Sequence, residues 1–142
     1  MNCLIICVRS HLSSGPARNG IQVLVADGSE SLRGLLCDVL RDAGFAADEA
    51  ATASEFKRKL LSQRFGLIIM DTVLPGLDVR DAGQTISDSQ HCPGIVVMSG
   101  GSPYWLDDAR RLNTPATLRK PFGPDELLAA AHLALTVANS CR

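Results

Sequence analysis

The chain has 142 residues, 46% apolar and 20% charged, which suits one soluble domain able to bury a core of its own. A net charge of −1 gives no electrostatic case for nucleic acid or an anionic membrane as partner. The five cysteines (Cys3, Cys7, Cys37, Cys92 and Cys141) lack metal-ligand spacing, and an odd count with no sign of secretion reads as reduced thiols in a cytoplasmic protein.

Cys3 to Val8 is apolar but too short to span a membrane, and Ser, Gly, Arg and Pro follow it. Residues 1–20 read as an extension outside the fold, and 21–142 as the domain. Ile21–Ala26 reads as a buried strand. Leu32, Leu35, Leu36, Val39, Leu40 and Ala43 then recur at helical spacing, Cys37 falls on the buried face, and Gly44 stops the helix. Phe45–Ala50 is a weaker strand. Thr52-Ala53-Ser54-Glu55 has capping-box form and opens a helix with Phe56, Leu60 and Leu61 on one face. Gly66–Met70 is the strongest strand, and Asp81–Ser89 a short, poorly apolar helix. Ile95–Met98 is another buried strand. Ser102 caps a helix with Pro103 in its first turn that runs to Leu112, where Asn113 takes a left-handed stop. Ala116–Arg119 is the last strand, and Gly123-Pro124 starts a final helix through about Ala138. In that helix Leu127, Leu128, Ala131 and Leu135 form an apolar stripe. Ala129, Ala130, Leu133 and Ala134 form a mild second face, readable as core or as a partner surface.

Five apolar strands alternating with five helices predict a parallel sheet covered on both faces. The expected fold is α/β, flavodoxin-like (βα)5, with strand order 2-1-3-4-5. Ligands in such sheets bind outside the carboxyl ends of the strands. Asp27, Asp71, Ser99 and Lys120 fall at the carboxyl ends of strands one, three, four and five, and the strand order sets Asp27 and Asp71 over one crevice. Two neighbouring carboxylates repel unless a cation or proton lies between them, and oxygen donors without His or Cys favour Mg²⁺. An aspartate beside Mg²⁺ can attack phosphorus and form an acyl phosphate. The transferred group's oxygens then need cationic or donor partners, which Mg²⁺, Lys120 and Ser99 supply. Taken singly, Asp27 reads equally as a helix N-cap, Arg33 as a solvated helix face, and Glu30 as a first-turn dipole or cap residue. His11, His91 and His132 show no partner for catalysis. Gly100-Gly101-Ser102-Pro103 lacks the spacing of a nucleotide phosphate loop.

Over residues 21–137 the chain resembles the receiver domain of two-component response regulators. The matching residues are Val23-Leu24-Val25-Ala26-Asp27 with Arg33, Leu67-Ile68-Ile69-Met70-Asp71 with Leu74-Pro75-Gly76, Val96-Val97-Met98-Ser99-Gly100, and Leu118-Arg119-Lys120-Pro121-Phe122. The resemblance implies that Asp71 accepts phosphate from a histidine kinase or a histidine phosphotransfer protein. It implies that Asp27, Asp71 and the Val73 backbone carbonyl hold Mg²⁺. Ser99 and Lys120 would contact the phosphoryl group and couple it to a shape change, and the Lys120-Pro121 bond would often be cis.

The departures from that pattern carry their own implications. Gly28 stands where the family has a second acid, so Mg²⁺ binding is expected to be weak. Thr117 stands at the position of the switch aromatic, which mutes the conformational readout or reroutes it through Tyr104 or Trp105. Val79 replaces the glycine of an Asp-Gly pair after the phosphorylation loop. Val73 and Gly101 carry no side chain that could orient a hydrolytic water, so an acyl phosphate should be long-lived.

The first reading is therefore a stand-alone phosphoacceptor module and not an enzyme. It would signal by protein contact through the last two helices and last strand, with a homodimer left open. The second is a pseudo-receiver that binds partners without phosphorylation. An aspartate-nucleophile phosphohydrolase would want an aspartate where Val73 stands.

Overall fold

The computed structural model describes residues 20–89, 91–100 and 105–140. In chain order these form β1 (Gln22–Ala26), α1 (Glu30–Asp42), β2 (Ala46–Ala50), α2 (Ala53–Ser62), β3 (Leu67–Asp71), α3 (Val79–Asp88), β4 (Gly94–Ser99), α4 (Trp105–Arg111), β5 (Thr117–Arg119) and α5 (Pro124–Ser140). All the strand pairs are parallel, in the order β2-β1-β3-β4-β5. The flavodoxin-like order read from the sequence is the observed one.

Alternation along each strand divides the core in two. Val23, Val25, Leu67, Ile69, Val96 and Met98 pack on one face with Leu36, Cys37 and Leu40 of α1 and Leu127, Ala131 and Ala134 of α5. Leu24, Ala26, Ile68, Met70 and Val97 pack on the other with Phe56 and Leu60 of α2, Ala82 and Ile86 of α3, and Ala109 of α4. Burying each large apolar side chain stabilises the fold by about 1.5–3 kcal/mol. β3 is buried at every position, as its unbroken apolar run implies. Cys37 is a free, fully buried thiol, and burial pushes it up to about 11.

Helix ends follow local chemistry. Thr52 Oγ1 accepts from the Glu55 amide at 3.2 Å and caps α2. Asp78 caps α3 through the Arg80 amide at 2.8 Å, so that helix begins two residues before the expected Asp81. Asn113 adopts φ 56° just past α4, the left-handed stop expected of it. At Gly94 a Cβ would lie 2.8 Å from the Ala134 backbone, so only glycine lets α5 approach β4 this closely.

One open choice is decided and two expectations change. Ala130 and Ala134 are core residues because α5 packs across both β3 and β4; of the supposed second face, Ala129 and Leu133 are exposed. Cys92 is disulfide-bonded, which corrects the reading of five reduced thiols. β2 is not apolar on both faces, since Asp48 and Glu49 occupy its half-buried centre at the sheet edge. The extension before Gly20, Ser102, Pro103 and Tyr104, and the Trp105 side chain lie outside what is described. Among the described residues no helix is long and apolar enough to cross a membrane.

Candidate functional site

Register brings the predicted residues together. Ala26 pairs with Met70, Asp71 with Met98, and Ser99 with Arg119. Asp27, Asp71, Ser99 and Lys120 therefore emerge level at the carboxyl edge of the sheet. Asp27, Asp71 and Ser99 are buried, with 2%, 8% and 1% exposure. Such burial is costly for carboxylates unless their charge is matched.

Lys120 supplies one positive charge against the two. Its Nζ donates to Asp27 Oδ2 at 2.8 Å and to Asp71 Oδ2 at 2.5 Å. Burial favours the neutral amine, but the two carboxylates outweigh it and hold the ammonium above the ordinary lysine range. The Lys120-Pro121 bond is cis, as in many chains of the resembling family.

The remaining carboxylate oxygens bond locally. Asp71 Oδ1 accepts from the Val73 amide at 2.9 Å, and Asp27 Oδ1 from the Ser29 amide at 2.7 Å. Ser29, not Asp27, caps α1, its Oγ accepting from the Leu32 amide at 3.3 Å. Asp27 Oδ2 is thereby turned to Lys120, which also holds Asp71. Ser99 Oγ is buried and has no hydrogen-bond partner. A buried hydroxyl with no protein partner is costly, and its donor suits an acceptor atom of a ligand. Gly100, Lys120, Pro121, Phe122 and Leu32 line a cavity of about 460 Å³ on the Lys120 side of the cluster.

The donor set suits Mg²⁺ in kind but is thin. Asp27 and Asp71 converge, and the exposed Val73 follows Asp71 by two residues. Among the described residues no cluster of three or more His, Cys, Asp or Glu could hold a metal. The missing position is Gly28, where a Cβ would meet Pro75 Cδ at 3.2 Å. Glu30 is exposed in the first turn of α1. Thr117 is half-buried at the start of β5. Gly101 lies outside the described residues.

Sequence reasoning misplaced Arg33. It is not a solvated helix face: its side chain is 12% exposed, Nη1 donates to the Asp27 carbonyl at 2.8 Å, and Nε donates to Glu49 Oε1 at 3.0 Å. Glu49 lies on β2, sixteen residues away. The signal that could have found this pair was the anomalous charge of β2 itself.

Comparison with known proteins agrees with this geometry. The family described as response regulator receiver domain matches residues 23–132. The transcriptional regulatory protein GltR of Pseudomonas aeruginosa is 31% identical over 118 residues, 78% of this chain and 47% of that protein. The chain spans about half the length of the curated relatives it matches. Among solved structures, a CheY-like receiver domain protein from Methanospirillum hungatei superposes with TM-score 0.77 at 19% identity, over 87% of this chain and 99% of that one. Full-length FixJ from B. japonicum does so with TM-score 0.74 at 27% identity, over 84% of this chain and 60% of that one.

Proposed function

The chain belongs to the response regulator receiver family, and on that premise we propose that Asp71 accepts a phosphoryl group from a phosphohistidine and that the change is read by protein contact. Receiver domains generally bind Mg²⁺ and act as signalling modules. The observation that carries the proposal for this chain is the convergence of Asp27, Asp71 and Lys120, with the unpartnered Ser99 hydroxyl beside them.

In the proposed transfer an Asp71 carboxylate oxygen forms the new bond to phosphorus as the phosphorus–nitrogen bond to the donor imidazole breaks. The departing nitrogen takes the bond's electron pair. Bound Mg²⁺ would neutralise charge on the transferring oxygens, held by Asp27, Asp71 and the Val73 carbonyl. Lys120 would exchange its contact with Asp71 for one with a phosphoryl oxygen. The Ser99 hydroxyl would donate to another and gain the partner it lacks. With Gly28 contributing no carboxylate, Mg²⁺ binds weakly in this proposal, and Asp27 is the one acid that supplements Asp71.

The donor would be a histidine kinase or a histidine phosphotransfer protein, and the output surface α4, β5 and α5. Thr117 offers only a methyl group where family members present a ring, so ring burial contributes little to the readout. Two residues favour the pseudo-receiver reading instead: Gly28 stands in place of an acid and Thr117 in place of a ring.

Beryllofluoride with Mg²⁺ separates the two. Phosphorylation predicts saturable, Mg²⁺-dependent shifts of the Asp71, Ser99 and Lys120 amide resonances that vanish in Asp71→Asn. Amide spectra indifferent to beryllofluoride at millimolar Mg²⁺ would leave the pseudo-receiver.

A further inference from the structure

β2 carries two acids in mid-strand, and each has a cationic partner on a helix. Lys59 Nζ donates to Asp48 Oδ1 at 2.8 Å and to the Glu49 carbonyl at 2.6 Å. Burial pushes the Asp48 carboxyl up, but the bonds from Lys59 and the Glu49 amide outweigh it and hold it below the ordinary range. Glu49 Oε1 then receives Arg33 Nε at 3.0 Å. The same guanidinium reaches the Asp27 carbonyl through Nη1 at 2.8 Å. A network of charged groups therefore runs from α2, through the edge strand, into the site.

Its geometry is that of a brace. A guanidinium presents its donors in a rigid planar fork, so fixing Nε on Glu49 fixes where Nη1 points. Only 12% of the Arg33 side chain is exposed, and stripping water from a cation for a simple surface pair gains little. Asp27 is held on both sides of its backbone from β2. Its amide donates to the Ala50 carbonyl at 3.1 Å, and its own carbonyl receives the Glu49-held Arg33. The next residue is Gly28, which restricts the backbone least of all residue types. The Asp27 side chain is bonded to the Ser29 amide and to Lys120, so the bonds to Ala50 and from Arg33 fix the backbone that carries it.

We propose that Arg33, braced by Glu49, is a positioning residue that keeps Asp27 oriented for metal binding. This rests on the reading of Asp27 as an Mg²⁺ ligand. The test is Mg²⁺ titration calorimetry on the full chain, with amide exchange measured on the metal-free protein, for Arg33→Ala, Arg33→Lys, Glu49→Gln and Asp27→Ala. Arg33→Ala should weaken Mg²⁺ roughly tenfold, the scale seen when groups behind a metal ligand are removed. Arg33→Lys should recover part of the loss, and Glu49→Gln should show a smaller one. The Ser29 amide, bonded to Asp27 Oδ1, should exchange faster in Arg33→Ala while Val25 and Ile69 stay protected. Should Arg33→Ala fail to fold, Glu49→Gln and Arg33→Lys carry the same comparison. Mg²⁺ affinities within about twofold of the parent in the Arg33 and Glu49 variants, with Asp27→Ala inactive for binding, would overturn the positioning role alone. If Asp27→Ala binds Mg²⁺ like the parent, Asp27 is no ligand, and both this role and the metal assignment fall.

Discussion

Replacing Lys120 by Met tests how the site balances its charge. Methionine keeps most of the aliphatic stem and removes the ammonium. The loss is two charge-assisted hydrogen bonds, to Asp27 and Asp71, whose side chains are only 3% and 11% exposed. Bonds to charged groups contribute about 1.5–3 kcal/mol each. The ammonium side is 23% exposed and keeps some water, so the low end applies, giving about 3 kcal/mol in all. For a domain of this length that lowers the melting temperature by about 10 °C. The assay is thermal and urea unfolding by circular dichroism at pH 7 with chelator present. The pH dependence has a definite sign. The folded-state lysine lies above its ordinary value, so its stabilisation is complete below about pH 10 and fades as pH rises through the raised value. The gap between parent and variant should therefore be flat from pH 7 to about 10 and close above it. Added Mg²⁺ should stabilise the variant more than the parent, because the two carboxylates have lost their counter-charge. A variant within about 0.5 kcal/mol of the parent at pH 7 would refute the account of the cluster, since that is the scatter of an ordinary surface substitution.

Other consequences are as direct. Gly28→Asp should tighten Mg²⁺ about tenfold in calorimetry by adding a ligand charge. It should also cost about 1 kcal/mol in the metal-free protein, because its Cβ presses on Pro75 Cδ at 3.2 Å. Ser99→Ala removes a buried orphan hydroxyl, so urea unfolding should find it neutral or stabilised by up to about 1 kcal/mol, while beryllofluoride binds less tightly. Once formed, the acyl phosphate should outlast a scale of seconds at neutral pH, because Val73 is exposed yet can neither accept a proton nor hold a water. Decay of the adduct followed by intact mass measures this.

Much of this was legible in the chain because parallel strands leave strong marks. The unbroken run before Asp71 could only be a strand buried on both faces, and the apolar runs ending at Asp27 and Ser99 behaved alike. Once the strand order was fixed, register set Asp27, Asp71, Ser99 and Lys120 level at one edge; the bonds of Lys120 to both carboxylates were not foreseen. Interactions that depend on side-chain reach across elements were not legible. Arg33 looked solvated because its spacing says which helical face it occupies, not that Glu49 sits within 3.0 Å. Asp48 and Glu49 weakened the reading of β2 for the same reason: their partners, Lys59 and Arg33, lie on helices. The width of the α5 core stripe stayed open between core and partner surface because it is set by how closely Gly94 lets that helix approach, not by hydrophobic period. Pairing of Cys92 leaves no periodic signal at all.

The most direct test of the central claim is incubation of the chain with acetyl phosphate and Mg²⁺, followed by intact mass, beside Asp71→Asn. The account predicts one phosphoryl adduct that requires Mg²⁺, is released by hydroxylamine and is absent from Asp71→Asn. An adduct that persists in Asp71→Asn, or none at millimolar Mg²⁺, would contradict it.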